Sequence, residues 1–161
     1  MQVRGLWYVI TMPSQPPSQK FMLTPSPQTS GPAENTYEGE LATLTGSAKS
    51  VACSACASGK AAGYIGGPDG GVVTFSDVQS TATTRTTLRI KYTNGDKTQR
   101  FADVSVNGAA AQRIAFLPTS GDPNSSAVHV DLNVGANTVR IAGTGGGAWG
   151  PDVDRLMVPR E

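Results

Sequence analysis

Alternation of apolar and polar residues with a period of two constrains the fold of this chain more than any other sequence feature. It is clearest over residues 85–93, where Leu88, Ile90 and Tyr92 alternate with polar neighbours. Successive side chains of a strand point to opposite faces, so this segment is predicted to be a strand with one buried face. Tyr92 continues the apolar series and is therefore expected in the core.

The same alternation recurs through much of the chain after residue 37, and turn signals separate the alternating segments. Asn94-Gly95-Asp96 and Asn107-Gly108 are examples, because both contain residues that tolerate positive φ. No helix of ordinary length is visible. The strands are predicted at residues 38–44, 62–65, 72–75, 85–93, 103–107, 113–116, 127–132, 138–142 and 153–158. The predicted fold class is all-β, a β-sandwich or jelly roll of about nine strands.

The N-terminal part of the chain differs in composition from the rest. Proline is concentrated before residue 37, and residues 14–34 are rich in Ser, Thr and Gln with few large apolar side chains. Residues 1–36 are therefore interpreted as a Pro/Ser-rich linker or the remnant of an upstream domain, and residues 37–161 as the sandwich. The apolar run 5–12 is too short to span a bilayer and has no convincing cleavage site after it.

Net charge bears on the partners of the protein. The 13 basic and 12 acidic residues give a formal charge of +1 at pH 7. A protein that neutralises a phosphate backbone needs a marked excess of basic residues, so nucleic acid is not an expected partner. Without a long apolar segment, a membrane is not expected either.

No set of residues with catalytic spacing is evident. His129 is the single histidine, and no Ser-His-Asp or Cys-His pattern surrounds it. Most of the carboxylates lie in predicted turns or have another expected role, whereas a glycosidase needs a pair set across a cleft. The chain is therefore expected to be non-catalytic.

The cysteine pair Cys53 and Cys56 has three interpretations. Zinc would need four ligands, and only His129 is available beside the two thiols. A redox C-x-x-C motif normally opens a helix in a βαβ unit, which this pattern does not predict. A short disulfide within a loop would fit an oxidising compartment.

An acidic pair opens the predicted sandwich. Glu38 and Glu40 lie two residues apart on the first predicted strand, so their carboxylates are expected on one face. Such a pair is often a solvated strand face, but two like charges also favour a cation. Asp154 can join them if the first and last strands are neighbours, which would give the all-oxygen ligands that calcium prefers.

Trp149 is the aromatic residue that most strongly indicates a binding role, because it follows the glycine-rich run 143–148 and lies outside any alternating core position. Asp152 comes three residues later and is expected at the same rim.

Several short motifs occur in an order that resembles carbohydrate-binding module family 35, particularly the modules appended to fungal α-galactosidases. The motifs are YEGE at 37–40, CSAC at 53–56, GYIG at 63–66, YTNGD at 92–96, VSVNG at 104–108 and WGPDVDR at 149–155. The resemblance covers about residues 37–158 and implies a galactose-binding-like β-sandwich. It also implies a Cys53–Cys56 disulfide, as in fungal members.

The resemblance further implies ligands and partners. Glu38, Glu40 and Asp154 would hold a structural Ca²⁺, with main-chain oxygens from about residues 57–60. Tyr64 and Asn94 would lie in loops that converge with Trp149 and Asp152 to bind carbohydrate.

The expected function is that of a secreted, extracellular module that binds polysaccharide or oligosaccharide, with galactosyl-containing chains as the first candidate. The module is expected to be a monomer tethered to a glycoside hydrolase that it targets to its substrate. A stand-alone lectin or adhesion module, and a fragment of an α-galactosidase-like glycoside hydrolase, are the alternatives.

Overall fold

The computed structural model of the protein describes residues 33–160. Within them lie eleven strands and one short 3₁₀ helix, and no α-helix. The strands are β1 Glu34–Glu38, β2 Thr43–Thr45, β3 Lys49–Ala52, β4 Lys60–Gly63, β5 Val72–Ser80, β6 Thr84–Thr93, β7 Arg100–Val106, β8 Gln112–Phe116, β9 Asn124–Leu132, β10 Gly135–Ala142 and β11 Asp152–Pro159, and the 3₁₀ helix is Gly39–Leu41. The predicted all-β class is confirmed.

The strands form two antiparallel sheets that pack as a sandwich. One sheet has the order β3-β4-β11-β6-β9, with β1 also paired to β11, and the other has the order β2-β5-β10-β7-β8. Strand β11 is central, because β6 pairs along one of its edges while β4 and β1 share the other. β4 meets β11 at Val153, and β1 meets it from Arg155 onward. The two ends of β11 therefore have different neighbouring strands on this edge.

The core lies between the sheets and consists of the apolar positions of the alternating strands. Leu88 and Ile90 are fully buried and Tyr92 is 1% exposed, as the period of two predicts. The Tyr92 ring packs edge-on against Phe116, with 4.8 Å between ring centroids. Burial of these side chains supplies the main driving force for folding.

The predicted first strand, residues 38–44, is wrong as a single element. The 3₁₀ helix interrupts it, so that β1 and β2 belong to different sheets. A Cβ atom on Gly39 would lie 2.3 Å from the carbonyl oxygen of Val153, so glycine is needed where the chain turns against β11. Alternation within the segment carries no information about this contact with a distant strand.

Two further boundaries differ from those expected. Strand β1 begins at Glu34, three residues before the predicted start of the sandwich. Strand β3 was not predicted, because its four residues are mostly exposed and show no apolar alternation. The interpretation of residues 1–36 as a linker or domain remnant falls mostly outside the described residues. Within residues 33–160, no helix has the length and apolar character needed to cross a bilayer.

Candidate functional site

Two partly exposed aromatic rings meet at one end of the sandwich. Tyr64 and Trp149 are 45% and 40% exposed, and their rings lie edge to face with centroids 5.8 Å apart. They border a cleft of about 450 Å³ that also contacts Val51, Ala52, Arg100, Gly150 and Asp152. We call this cleft the aromatic cleft. It brings together three of the four residues predicted to bind carbohydrate.

Tyr64 is held in a backbone conformation that few side chains adopt. Its φ is 61°, directly after β4, and a left-handed conformation costs about 1–2 kcal/mol for a residue with a Cβ atom. The Ser47 hydroxyl lies 3.0 Å from the carbonyl oxygens of both Tyr64 and Gly66 and holds this turn in place. The ammonium group of Lys49 lies 4.3 Å from the centroid of the Tyr64 ring. Strained residues of this kind are concentrated at functional sites.

Trp149 is fixed by the backbone of the turn that follows Tyr64. Gly67 donates a hydrogen bond to the carbonyl oxygen of Ala148 (2.9 Å), and Gly150 donates one to that of Ile65 (2.8 Å). A Cβ atom on Gly67 would lie only 2.3 Å from two carbons of the Trp149 ring. The indole therefore rests directly on glycine backbone, and the glycine-rich loop presents it in a defined position.

Arg100 and Asp152 supply charge to the aromatic cleft. The Nε of Arg100 donates to Asp96 at 2.8 Å, and its Nη1 donates to the carbonyl oxygen of Gly150 at 2.9 Å. Burial raises the pKa of Asp152, and this effect is partly offset by the charge of Arg100 and by a hydrogen bond from the backbone of Tyr64. A planar cation and a carboxylate, both fixed, can bind hydroxyl groups as donor and acceptor.

Asn94, the fourth residue that the sequence predicts to bind carbohydrate, does not line this cleft. The residue is fully buried, and its amide nitrogen donates to the carbonyl oxygens of Thr98 and Phe116, both at 3.0 Å. Its side-chain oxygen accepts a hydrogen bond from the backbone of Asp96 at 3.1 Å. The amide group is therefore used to fix the β6–β7 turn, and no part of it faces solvent.

Sequence reasoning missed Arg100, Lys49 and Val51. Lys49 and Val51 lie on β3, which was not predicted, and Arg100 opens β7 at a position with no distinguishing pattern. Arg100 is oriented by the hydrogen bond that it donates to the carbonyl oxygen of Gly150, fifty residues away. Only the spacing of Asp96 and Arg100 in the turn could have hinted at an ion pair.

A second group of charged residues lies on the same strand, at Asp154. Glu38, Glu40 and Asp154 each have one buried carboxylate oxygen without a hydrogen-bond partner. We call these three residues the carboxylate cluster. Burial raises the pKa of Glu38, the charges of Asp154 and Glu40 raise it further, and Arg155 lowers it. Glu38 is thus near enough to Asp154 and to Glu40 to be repelled by both.

The fold explains how the carboxylate cluster forms. Strand β1 pairs antiparallel with β11 and sets Glu38 opposite Arg155, so the first and last strands are neighbours as expected. Asp154 is the extra residue of a β-bulge, since Val153 faces Tyr92 and Arg155 faces Lys91. A bulge turns a side chain away from its regular direction. Glu40 lies in the 3₁₀ helix, so it reaches the cluster by a turn and not by the strand alternation that was expected.

The carboxylate cluster has the chemistry of a site for a hard cation. One oxygen of each carboxylate is buried and unpartnered, which costs free energy unless a positive charge compensates it. Arg155 is 3.9 Å from Asp154 and cannot satisfy three carboxylates. Within residues 33–160, no three His, Cys, Asp or Glu side chains lie so that they could hold a metal ion as they stand. The case for a cation therefore rests on charge and unsatisfied oxygens.

The disulfide between Cys53 and Cys56 is present, with the two Cα atoms 5.3 Å apart. The disulfide leaves no thiolate for zinc, and residues 33–160 contain no α-helix of the kind that a redox C-x-x-C motif normally opens. Directly after the disulfide, the backbone N–H of Ala57 donates to Asp154 at 3.2 Å. The sequence predicts main-chain oxygens from about residues 57–60 at the cluster, whereas Ala57 presents its N–H there. His129 is an exposed residue of β9 that lies 2.8 Å from the Thr87 hydroxyl.

Comparison with protein families gives one match. Residues 72–158 match a CBM13-like family whose description is the CBM13 domain of alpha-galactosidase. No curated protein matches the chain significantly.

Solved structures resemble the chain over most of its length. An exo-β-1,3-galactanase from Phanerochaete chrysosporium, solved with galactose, is 32% identical over 78% of this chain and 29% of its own, with a TM-score of 0.69. A family 35 carbohydrate-binding module from Clostridium thermocellum is 26% identical over 77% of this chain and 98% of its own, with a TM-score of 0.72. A family 35 module from Paenibacillus barcinonensis, at 22% identity and a TM-score of 0.68, supports the fold. The chain spans less than a third of the galactanase it matches.

Proposed function

The chain belongs to the family of CBM13-like domains of α-galactosidases, with the fold of family 35 carbohydrate-binding modules, and we propose that it binds galactosyl-containing polysaccharide at the aromatic cleft. The observation that carries this proposal is the exposed pair Tyr64 and Trp149 beside the fixed charges of Arg100 and Asp152. In this function the module is secreted, catalyses no reaction, and targets an appended glycoside hydrolase to its substrate.

The geometry of the aromatic cleft suits a pyranose ring. The indole of Trp149 offers an apolar surface on which the C–H face of a sugar can stack. Arg100 can donate to sugar oxygens and Asp152 can accept from sugar hydroxyls, so adjacent hydroxyl groups find both kinds of partner. Because Tyr64, Trp149 and Arg100 are held by backbone and ion-pair contacts, binding requires little ordering of side chains.

The choice of galactosyl ligands rests on the relatives. The matched family is a domain of alpha-galactosidase, and the related galactanase was solved with galactose. Galactose is therefore the first ligand to test, and other sugars serve as comparisons.

We also propose that Glu38, Glu40 and Asp154 hold a structural Ca²⁺. Their buried, unpartnered oxygens are the support for this proposal. The ion would neutralise the three carboxylates and link the 3₁₀ helix after β1 to β11, which raises the free energy of unfolding. It takes no part in chemistry, because the proposed function includes no reaction.

Titration calorimetry with galactose and with β-1,3-galactan tests sugar binding. Changing Trp149→Ala or Tyr64→Ala is expected to weaken binding about 30-fold or more, since aromatic residues are common hot spots of recognition. Phe101→Ala is the matched control, because Phe101 is 41% exposed but lies outside the cleft. Equal losses in all three variants would contradict the proposed site. Hydrolysis of nitrophenyl galactosides by the purified chain would contradict a non-catalytic role.

A further inference from the structure

A second cleft of about 310 Å³ adjoins the aromatic cleft. Asp152 and Ala52 border both clefts, so the two are continuous across Asp152. The second cleft also contacts Ser54, Thr93, Gly95 and Gly121. We call it the polar cleft. Of the residues that the sequence singled out for carbohydrate binding, Asp152 alone lines the polar cleft.

The polar cleft differs in chemistry from the aromatic cleft. No aromatic side chain lines it, and its walls carry the hydroxyl groups of Ser54 and Thr93. Gly95 and Gly121 are exposed, and a Cβ atom on either would meet nothing within 4 Å. These walls offer hydrogen bonds and open space but no surface for stacking. A ligand held here would therefore be polar and bound at its hydroxyl groups.

The wall formed by the disulfide loop gives the polar cleft a defined shape. Cys53, Ser54 and Ala55 line it, and the disulfide closes the loop in which they lie. On the opposite side, the hydroxyl of Thr119 lies 3.0 Å from the backbone nitrogen of Asn94 and 3.2 Å from its carbonyl oxygen, which fixes the turn that carries Gly95. Both walls are held by covalent or hydrogen bonds, so the cleft is preorganised.

We propose that the polar cleft is a second sugar subsite, so that the ligand is a chain of at least two sugar residues passing over Asp152. This inference rests on the proposed binding of sugar at the aromatic cleft. One residue stacks on the aromatic side, and the next is held by hydroxyl contacts beside the disulfide loop. The carboxylate of Asp152 borders both positions and can accept from both residues.

Titration calorimetry with galactose and β-1,3-galactotriose tests the subsite on the full chain. Galactotriose is expected to bind about three- to tenfold tighter than galactose, because the second residue adds hydrogen bonds but no stacking. Gly95→Leu adds a large side chain to a residue that lines the polar cleft, at a position where a Cβ atom meets nothing within 4 Å, and it is expected to remove this advantage while leaving galactose binding unchanged. Lys97→Leu, an exposed change in the same turn that does not line the cleft, is expected to keep the advantage.

Nuclear magnetic resonance adds a direct readout of the same subsite. The backbone amide signals of Gly95 and Gly121 are expected to shift with galactotriose and to stay in place with galactose. Equal affinity of the wild-type chain for the two sugars would overturn the subsite, as would an undiminished advantage in Gly95→Leu. If neither sugar binds the wild-type chain, the proposed function itself fails and the subsite fails with it.

Discussion

Asp152 and Asp154 are two residues apart on β11, yet they belong to two regions that use charge in opposite ways. Asp152 is partly exposed in the aromatic cleft and has Arg100 and the backbone of Tyr64 as partners. Asp154 is 1% exposed, and one of its oxygens has no hydrogen-bond partner. In a regular strand the two side chains would share one face, and the β-bulge at Asp154 removes that relation.

The difference shows what each region needs in order to work. The aromatic cleft needs no bound ion to balance its charges, because the cation Arg100 and the carboxylate Asp152 both belong to the protein. The carboxylate cluster contains three acids near one arginine, so its charge is unbalanced. We therefore expect the cluster to depend on a bound cation for stability, and the cleft to depend on the positions of its rings.

Removing the proposed calcium is expected to have the largest effect. A chelator should lower the free energy of unfolding by about 3 kcal/mol, the value for an ion present at roughly one hundred times its dissociation constant. Thermal unfolding followed by calorimetry, with and without added calcium, measures the change. Added calcium should restore the melting temperature, whereas magnesium should restore it less because it prefers a stricter geometry.

The variant Glu40→Gln distinguishes a cation site from a strained acidic cluster. With calcium present, the variant should unfold at a lower temperature than the wild type, because it loses a ligand. In chelator it should be at least as stable as the wild type, because one repelling charge has gone. Asp131→Asn, at an exposed position on β9, is the control and should behave like the wild type. A variant that is more stable under both conditions would contradict the cation.

Displacing Trp149 is expected to have the next largest effect, and two glycines allow a matched test. Gly67 and Gly70 have φ of 69° and 61°, so alanine causes similar backbone strain at both. Only a Cβ atom at Gly67 meets the Trp149 ring, since one at Gly70 meets nothing within 4 Å. Gly67→Ala should weaken galactose binding at least tenfold in calorimetry, and Gly70→Ala should not. Equal binding by both variants would show that the ring position is unimportant.

The sequence predicted the core and three of the residues that line the aromatic cleft, because those predictions depend on local patterns. Leu88, Ile90 and Tyr92 are buried since alternation alone determines which face of β6 they occupy. The glycine-rich run before Trp149 predicts that this residue lies in a loop and not in the core. These signals lie within a few residues of the position they describe, so one sequence is enough to read them.

The parts that could not be predicted depend on contacts between distant segments. Glu40 was placed on a strand, because the approach of Gly39 to Val153 that forces a turn is invisible in the sequence. The Asn94-Gly95 pattern indicates a turn, but it does not show that the side-chain amide of Asn94 donates a hydrogen bond to the carbonyl oxygen of Phe116. Local sequence preferences determine where the strands form, whereas packing between distant segments determines which polar groups remain free to bind ligands.

Replacing Arg100 with lysine is expected to have an intermediate effect. Lysine keeps the positive charge but cannot contact Asp96 and Gly150 with a planar group while also facing the cleft. Galactose affinity should fall about tenfold in calorimetry. Arg113→Lys is the control, because Arg113 also pairs with an aspartate, Asp103, outside the cleft. If Arg100→Lys binds like the wild type, the arginine is structural and recognition rests on the rings and Asp152.

Neutralising Lys49 is expected to have the smallest effect. Lys49→Met keeps an unbranched side chain but removes the charge that lies 4.3 Å from the centre of the Tyr64 ring. An exposed cation–π contact contributes about 0.5–1 kcal/mol, so galactose affinity should fall about twofold to fivefold in calorimetry. A loss greater than that of Gly67→Ala would mean that Lys49 binds the ligand itself. The cleft would then depend on charge as the carboxylate cluster does, and the contrast between the two regions of β11 would fail.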